Sequence, residues 1–268
     1  TTELIASTAT FTAATVIPTS GFTTSGDDGS GSWKQNGVTG QTVSQTPAQL
    51  GNALLNDGNG NQWQFVNRAL FVQQIGGVLD GVTDNTLIKD ALLAWSQLTG
   101  GNVYIGAGVF LTGETSLTSK TLRVFGLGED ISTWKLKNGE NTNAISLSGT
   151  GLLKSSKLTI DQNFANNSGG HGIRSGGCSG FILDYVTIQN CATYGIGIQA
   201  GTSRGVRLSN FTIQNTNSDG IDIKDYNLNN ECVFITNYTA TNISIVQTND
   251  VALDIRGEVC VNGMVVNA

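Results

Sequence analysis

Four rows of this chain repeat one another. Leu158 to Asp161, Val186 to Asn190, Phe211 to Asn215 and Ile243 to Gln247 each alternate apolar and polar residues. Each is followed by a second short apolar run, at His171 to Arg174, Tyr194 to Ile198, Asp219 to Ile223 and Val251 to Ile255. With Ile160, Ile188, Ile213 and Ile245 as markers, the interval is 25 to 32 residues, which is the signature of a solenoid. Alternation over four to six positions, in Thr, Val and Ile, is the period of a strand with one buried face. Gly and Asn fill the gaps between rows, where a coil must turn and positive φ is tolerated. Asn190 and Asn215 hold the same place in successive rows, so their amides are expected to stack. The rows predict an all-β chain wound as a parallel β-helix of about three short strands per coil. A β-sandwich with irregular hairpins is the alternative, and it leaves the shared register of the rows unexplained.

Composition is compatible with that reading. Of 268 residues, 35 are Gly and only 2 Pro, and 13% are charged, a turn-rich chain far from a disordered profile. A net charge of -6 argues against a nucleic-acid or anionic-membrane partner, either of which favours a basic face. No apolar run reaches the ~20 residues of a membrane helix. Cys178, Cys191, Cys232 and Cys260 lack metal-binding spacing and read as small buried residues. His171 is the single histidine, which argues against a zinc site or a Ser-His-Asp triad. No metal or cofactor is expected.

Residues 1–72 read as a small β-rich head region and 73–268 as the β-helix. Between them Leu87, Ile88, Ala91, Leu92, Ala94 and Trp95 form a helical stripe. Thr83 or Asp84 stands ready to cap it and Gly100 to stop it, giving a short capping helix over about 84–97 that closes the first coil. The rows are still running at Ala268, so the chain is expected to be a piece of a longer protein.

Three motifs in order then carry a resemblance. Gly77 to Thr86, Val103 to Phe110 and Gly126 to Thr133 resemble the entry to the right-handed, pectate-lyase-like β-helix of bacteriophage tailspikes and related polysaccharide depolymerases. Gly106 stands where proline is usual and Phe110 where Tyr is. The Gly21 to Trp33 loop resembles a segment found upstream in tailspikes. The resemblance implies a homotrimer acting from a virion tail, or a secreted enzyme, on capsule, exopolysaccharide or O-antigen at the bacterial surface. A polysaccharide lyase on the same fold, and a non-catalytic glycan-binding or virion-assembly module, are the other readings it leaves open.

A β-helix makes neighbours of residues one coil apart. In the second-run column Arg174, Gly197, Asp222 and Asp254 line up, and Asp219 and Asp250 begin the same runs. Four carboxylates on adjoining coils repel one another and raise at least one pKa, as glycoside hydrolysis by an acid and a base requires. Asn217 to Gly220 also resembles the Asn-Thr-Asp-Gly motif of polygalacturonase-type hydrolases, and Asn249-Asp250 stands where that family has an Asp pair. This resemblance carries Asp219 and Asp250 over as the catalytic candidates. Arg174, Tyr194, Asn217 and Asn249 are the candidate substrate contacts, with Tyr226 and Trp134 as further aromatics able to stack on sugar. A purely structural role for the aspartates, as acceptors at coil turns, stands beside this reading.

Overall fold

The computed structural model describes residues 68–199, 202–224 and 239–256 continuously, with the strands Val16–Thr19, Gly31–Gln35, Leu54–Asn56, Gln62–Phe65, Val233–Thr236, Val259–Asn262 and Val265–Asn267. Cys232 and Tyr226, most of the Gly21 to Trp33 loop and the side chain of Cys260 lie outside the described residues.

The rows are coils of a parallel β-solenoid. Strands Leu152–Asp161, Gly180–Cys191, Arg207–Thr216 and Thr239–Thr248 pair in parallel, each with the next. The four marker isoleucines are register partners, so they form one column. Ile160, Ile188 and Ile213 are fully buried in it. Lys157, Tyr185 and Asn210 sit at successive coils with φ of 55°, 53° and 47°. One left-handed residue therefore bends each long strand and divides it into a first and a second face. The third face is a six-stranded parallel sheet: Thr115–Thr118, Ile145–Ser148, Ile173–Ser175, Ile196–Gln199, Ile221–Lys224 and Leu253–Arg256. The apolar interior lies between the three faces.

Asparagine supplies the corner chemistry. Asn190 and Asn215 adopt φ of 54° and 56°, and the Asn215 amide donates to Asn190 Oδ1 at 2.6 Å. Asn190 Nδ2 in turn donates to Asp161 Oδ2 at 3.0 Å, so the expected stack is present and extends to an aspartate.

The helix runs Thr86–Thr99. Asp84 Oδ1 accepts the Thr86 amide at 2.9 Å, and Gly100, at φ 64°, ends it in the left-handed conformation. Its buried stripe is Ile88, Ala91, Leu92 and Trp95, whereas Leu87, expected on that stripe, is 60% exposed. Lys89 is buried in its place because its ammonium reaches Glu114 O at 2.6 Å while its stem stays in the core. Trp134 is also core, packed edge-on against Phe110 at 5.2 Å, so it is unavailable to a sugar. Cys178 and Cys191 are buried free thiols, as their lack of spacing predicted. In the 16–65 region the strands form a separate antiparallel four-stranded sheet.

Candidate active site on the third face

Register on the third face decides which side chains meet. Arg174 pairs with Gly197, Gly197 with Asp222 and Asp222 with Asp254, the column that the row alignment predicts. One oxygen from each of Asp219, Asp222 and Asp254 lies within 4.8 Å of the other two. Asp219 reaches this group from the corner before the strand. Its Oδ1 accepts the Val251 amide at 3.2 Å, and its own carbonyl accepts the Gly195 amide.

That hydrogen-bond pattern corrects one pairing. Gly172, Gly195 and Gly220 donate to the carbonyls of Tyr194, Asp219 and Val251 in turn, so Val251 is the residue opposite Asp219. Asp250 falls one place earlier, is exposed, and lies outside the three-oxygen group. Counting from the motif misplaces it by one residue, although its charge still acts on Asp219.

The electrostatics follow from burial. Asp219 and Asp222 are fully buried, while Asp254 is half-buried. Burial pushes the Asp219 carboxyl above the usual carboxylate range, the Val251 amide opposes this, and the charges of Asp250, Asp222 and Asp254 add to the rise. Gln199 Nε2 donates to Asp222 Oδ2 at 3.1 Å. The arrangement favours a proton on Asp219, with two further carboxyls beside it. The same oxygens are of the hard kind that a divalent cation takes.

The candidate binding residues divide. Tyr194 is half-buried and stacks on His171, with ring centroids 4.8 Å apart and planes at 20°. Arg174 is exposed at the far side of Gly197 from Asp222. Asn217 and Asn249 are bonded to each other, Asn249 Nδ2 donating to Asn217 Oδ1 at 2.9 Å, a second amide stack at a coil corner. His171 and Gln199 were not among the sequence candidates. A Cβ on Gly197 would lie 3.3 Å from His171 Nε2 and 3.5 Å from Gln199 Nε2, so both converge on the position between Arg174 and Asp222. The signal for His171 was its place at the head of a row, aligned with Tyr194 and Asp219.

No family profile and no curated protein matches the sequence. Among solved structures, the chain is similar to Pantoea stewartii WceF, described as a glycan biofilm modifying enzyme with a bacteriophage tailspike-like parallel β-helix fold. Identity is 15% and the TM-score 0.61, over 91% of this chain and 36% of that one. It is also similar to the enzymatically active domain of tailspike protein 2 of bacteriophage CBA120, at 12% identity and TM-score 0.50, over 88% of this chain and 38% of that one. The chain has the tailspike-like parallel β-helix fold. It spans little more than a third of the length of these two structures, and at such identities the likeness concerns the fold alone.

Proposed function

We propose that this chain is part of a depolymerase that binds and cleaves bacterial surface polysaccharide by carboxylate acid/base hydrolysis at Asp219, Asp222 and Asp254. The observation that carries the reading is the approach of three carboxylate oxygens to within 4.8 Å on one solenoid face. Like charges so placed weaken a surface unless their proton sharing is used. Asp254, at the accessible edge, is assigned to meet the sugar as base or nucleophile. Asp219, which keeps its proton to higher pH than an ordinary aspartate, is assigned as the acid for the leaving oxygen. Asp222 supplies the charge that holds the proton on its neighbour. Because Asp219 and Asp222 are buried, the reading requires bound glycan to open the edge at Asp254.

Support for a glycan comes from the two fold neighbours, one described as glycan-modifying and the other as an enzymatically active tailspike domain. A homotrimer and a place in a virion tail belong to the same proposal. Among the described residues no helix is long and apolar enough to cross a membrane.

The test is incubation with capsular, exopolysaccharide and O-antigen preparations. New reducing ends without ultraviolet absorbance from an unsaturated sugar indicate hydrolysis. Added absorbance indicates a lyase, and binding without cleavage indicates a recognition module. Replacing Asp254 or Asp219 by Asn should lower hydrolysis by about 10²-fold or more. Full activity in either variant would sink the assignment.

A further inference from the structure

The first face carries a short row of cations. Along its outward positions Arg123 pairs in register with Lys154, Lys154 with Ile182 and Ile182 with Arg207. Alternation confirms that they point outward, because Leu122, Val124, Leu153, Leu183 and Leu208 between them are buried. Two cations directly opposite each other on neighbouring strands, as Arg123 and Lys154 are, destabilise a sheet, and none of the three cations forms an ion pair among the described residues. The acid in the adjacent column, Asp184, accepts from Ser209 Oγ at 2.8 Å and Asn210 Nδ2 at 3.0 Å, both neutral donors, so it keeps its charge and offsets one of the three cations. Arg123 has one partner of its own, donating through Nη1 to Gly100 O at the helix end. Lys154 and Arg207 make no ion pair among the described residues.

We propose that this strip is a second binding face, separate from the carboxylate site, that takes an acidic polysaccharide. The chain is acidic overall, at -6, so a row of three cations facing one acid on a single sheet is a local departure that complements an anion. Spacing favours a glycan over nucleic acid. The cations recur at whole coils, ~4.8 Å or its double, whereas duplex DNA carries one charge per ~1.7 Å. A polymer with about one charge per sugar matches the sparser row. Half-buried Leu152 and Ile182 and the ring of Phe125, tilted at 30° to that of Tyr104 with centroids 5.4 Å apart, border the strip and suit the C–H surface of a sugar. Such a face would hold a charged polymer on the solenoid while the third face acts elsewhere along it.

The experiment is affinity electrophoresis of the whole chain through gels containing polygalacturonate, neutral dextran or duplex DNA. Retardation is expected with polygalacturonate alone, weakening as salt is raised. Lys154→Glu with Arg207→Glu, two side chains with no hydrogen bond among the described residues, should weaken apparent affinity about tenfold or more with no fall in melting temperature. Lys154→Gln with Arg207→Gln should give a smaller loss and shows whether charge is the cause. Equal retardation by dextran or DNA overturns the proposal, as does none in polygalacturonate. A double variant that binds like the parent overturns it too, as does one whose change is confined to oligomeric state in sedimentation, since the strip would then be an interface between copies. Binding is read without catalysis, so absence of hydrolysis would defeat the proposed function and leave this face standing, and the reverse holds.

Discussion

Asp222 and Asp254 stand directly opposite each other on neighbouring strands of the third face. A sheet pairing like charges loses stability unless a proton or a counter-charge intervenes. Asp219 adds a third oxygen from the corner. The group stores repulsion when fully ionised and relaxes when it holds a proton.

That repulsion gives a pH dependence whose sign can be worked out. The Asp219 carboxyl is raised in the folded chain, so the folded state binds more protons than the unfolded one above about pH 4, the ordinary Asp value. Its contribution is complete below that value and is lost as pH rises through the raised folded pKa. Asp219→Asn should therefore flatten the fall of stability on the alkaline side of pH 4, read as denaturant midpoints across pH. Asp84 acts oppositely: its carboxyl is lowered, with hydrogen bonds from Thr86 and Lys137 prevailing over burial, the largest single influence. Its contribution is present above about pH 4 and lost as pH falls through the lowered value. A midpoint series in which Asp219→Asn parallels the parent would refute the assigned direction.

Stereochemistry offers a second check on the proposed hydrolysis. Inverting glycosidases leave ~6.5–9.5 Å between carboxyl groups for the attacking water, and retaining ones ~5–5.5 Å. One oxygen from each of Asp219, Asp222 and Asp254 lies within 4.8 Å of the others, nearer the retaining than the inverting arrangement. The first product released should keep its anomeric configuration, observable by proton NMR during early turnover. Inversion would mean that the acting pair is not this one.

The corner amides predict a stability effect away from any site. Asn190→Ala removes the bond to Asn215 at 2.6 Å and that to Asp161 at 3.0 Å, and places a Cβ without a polar end at φ 54°. Together these should cost about 2–3 kcal/mol. Asn190→Gly restores the backbone freedom and should recover part of it. Equal midpoints for the two variants would show that the left-handed turn carries no strain.

Much of this was legible in the sequence because a solenoid writes its register into spacing. The isoleucine column, the Asn190–Asn215 stack and the Arg174–Gly197–Asp222–Asp254 column all follow from aligning rows. What escaped depended on side-chain direction. Leu87 belongs by period to a broad apolar stripe, yet only the solenoid's open end decides which edge of that stripe is covered. Asp250 was placed by motif count, whereas the hydrogen-bond ladder puts Val251 opposite Asp219. His171, as a lone histidine, argues against a metal or triad site, yet its row position puts it beside Tyr194.

The glycine ahead of three successive third-face strands, Gly172, Gly195 and Gly220, supplies the last prediction. Gly195 lacks a positive φ, so its backbone does not require glycine. Space does. A Cβ there would meet Ile213 Cγ2 at 2.6 Å and the Gly220 carbonyl oxygen at 2.7 Å. Gly172 would meet Ile188 Cγ2 at 2.3 Å in the same way. The corner glycine thus lets each coil approach the isoleucine of the next row, which links turn spacing to core packing. Gly195→Ala must push either the Ile213 side chain or the following coil outward, at about 1–3 kcal/mol. Gly176→Ala is the control, since its nearest neighbour would be the Gln199 carbonyl at 3.8 Å, and its midpoint should stay near the parent's. If Gly195→Ala melts with the control, the coils have slack at this corner. The column of Asp219, Asp222 and Asp254 built upon it would then be looser than its register implies.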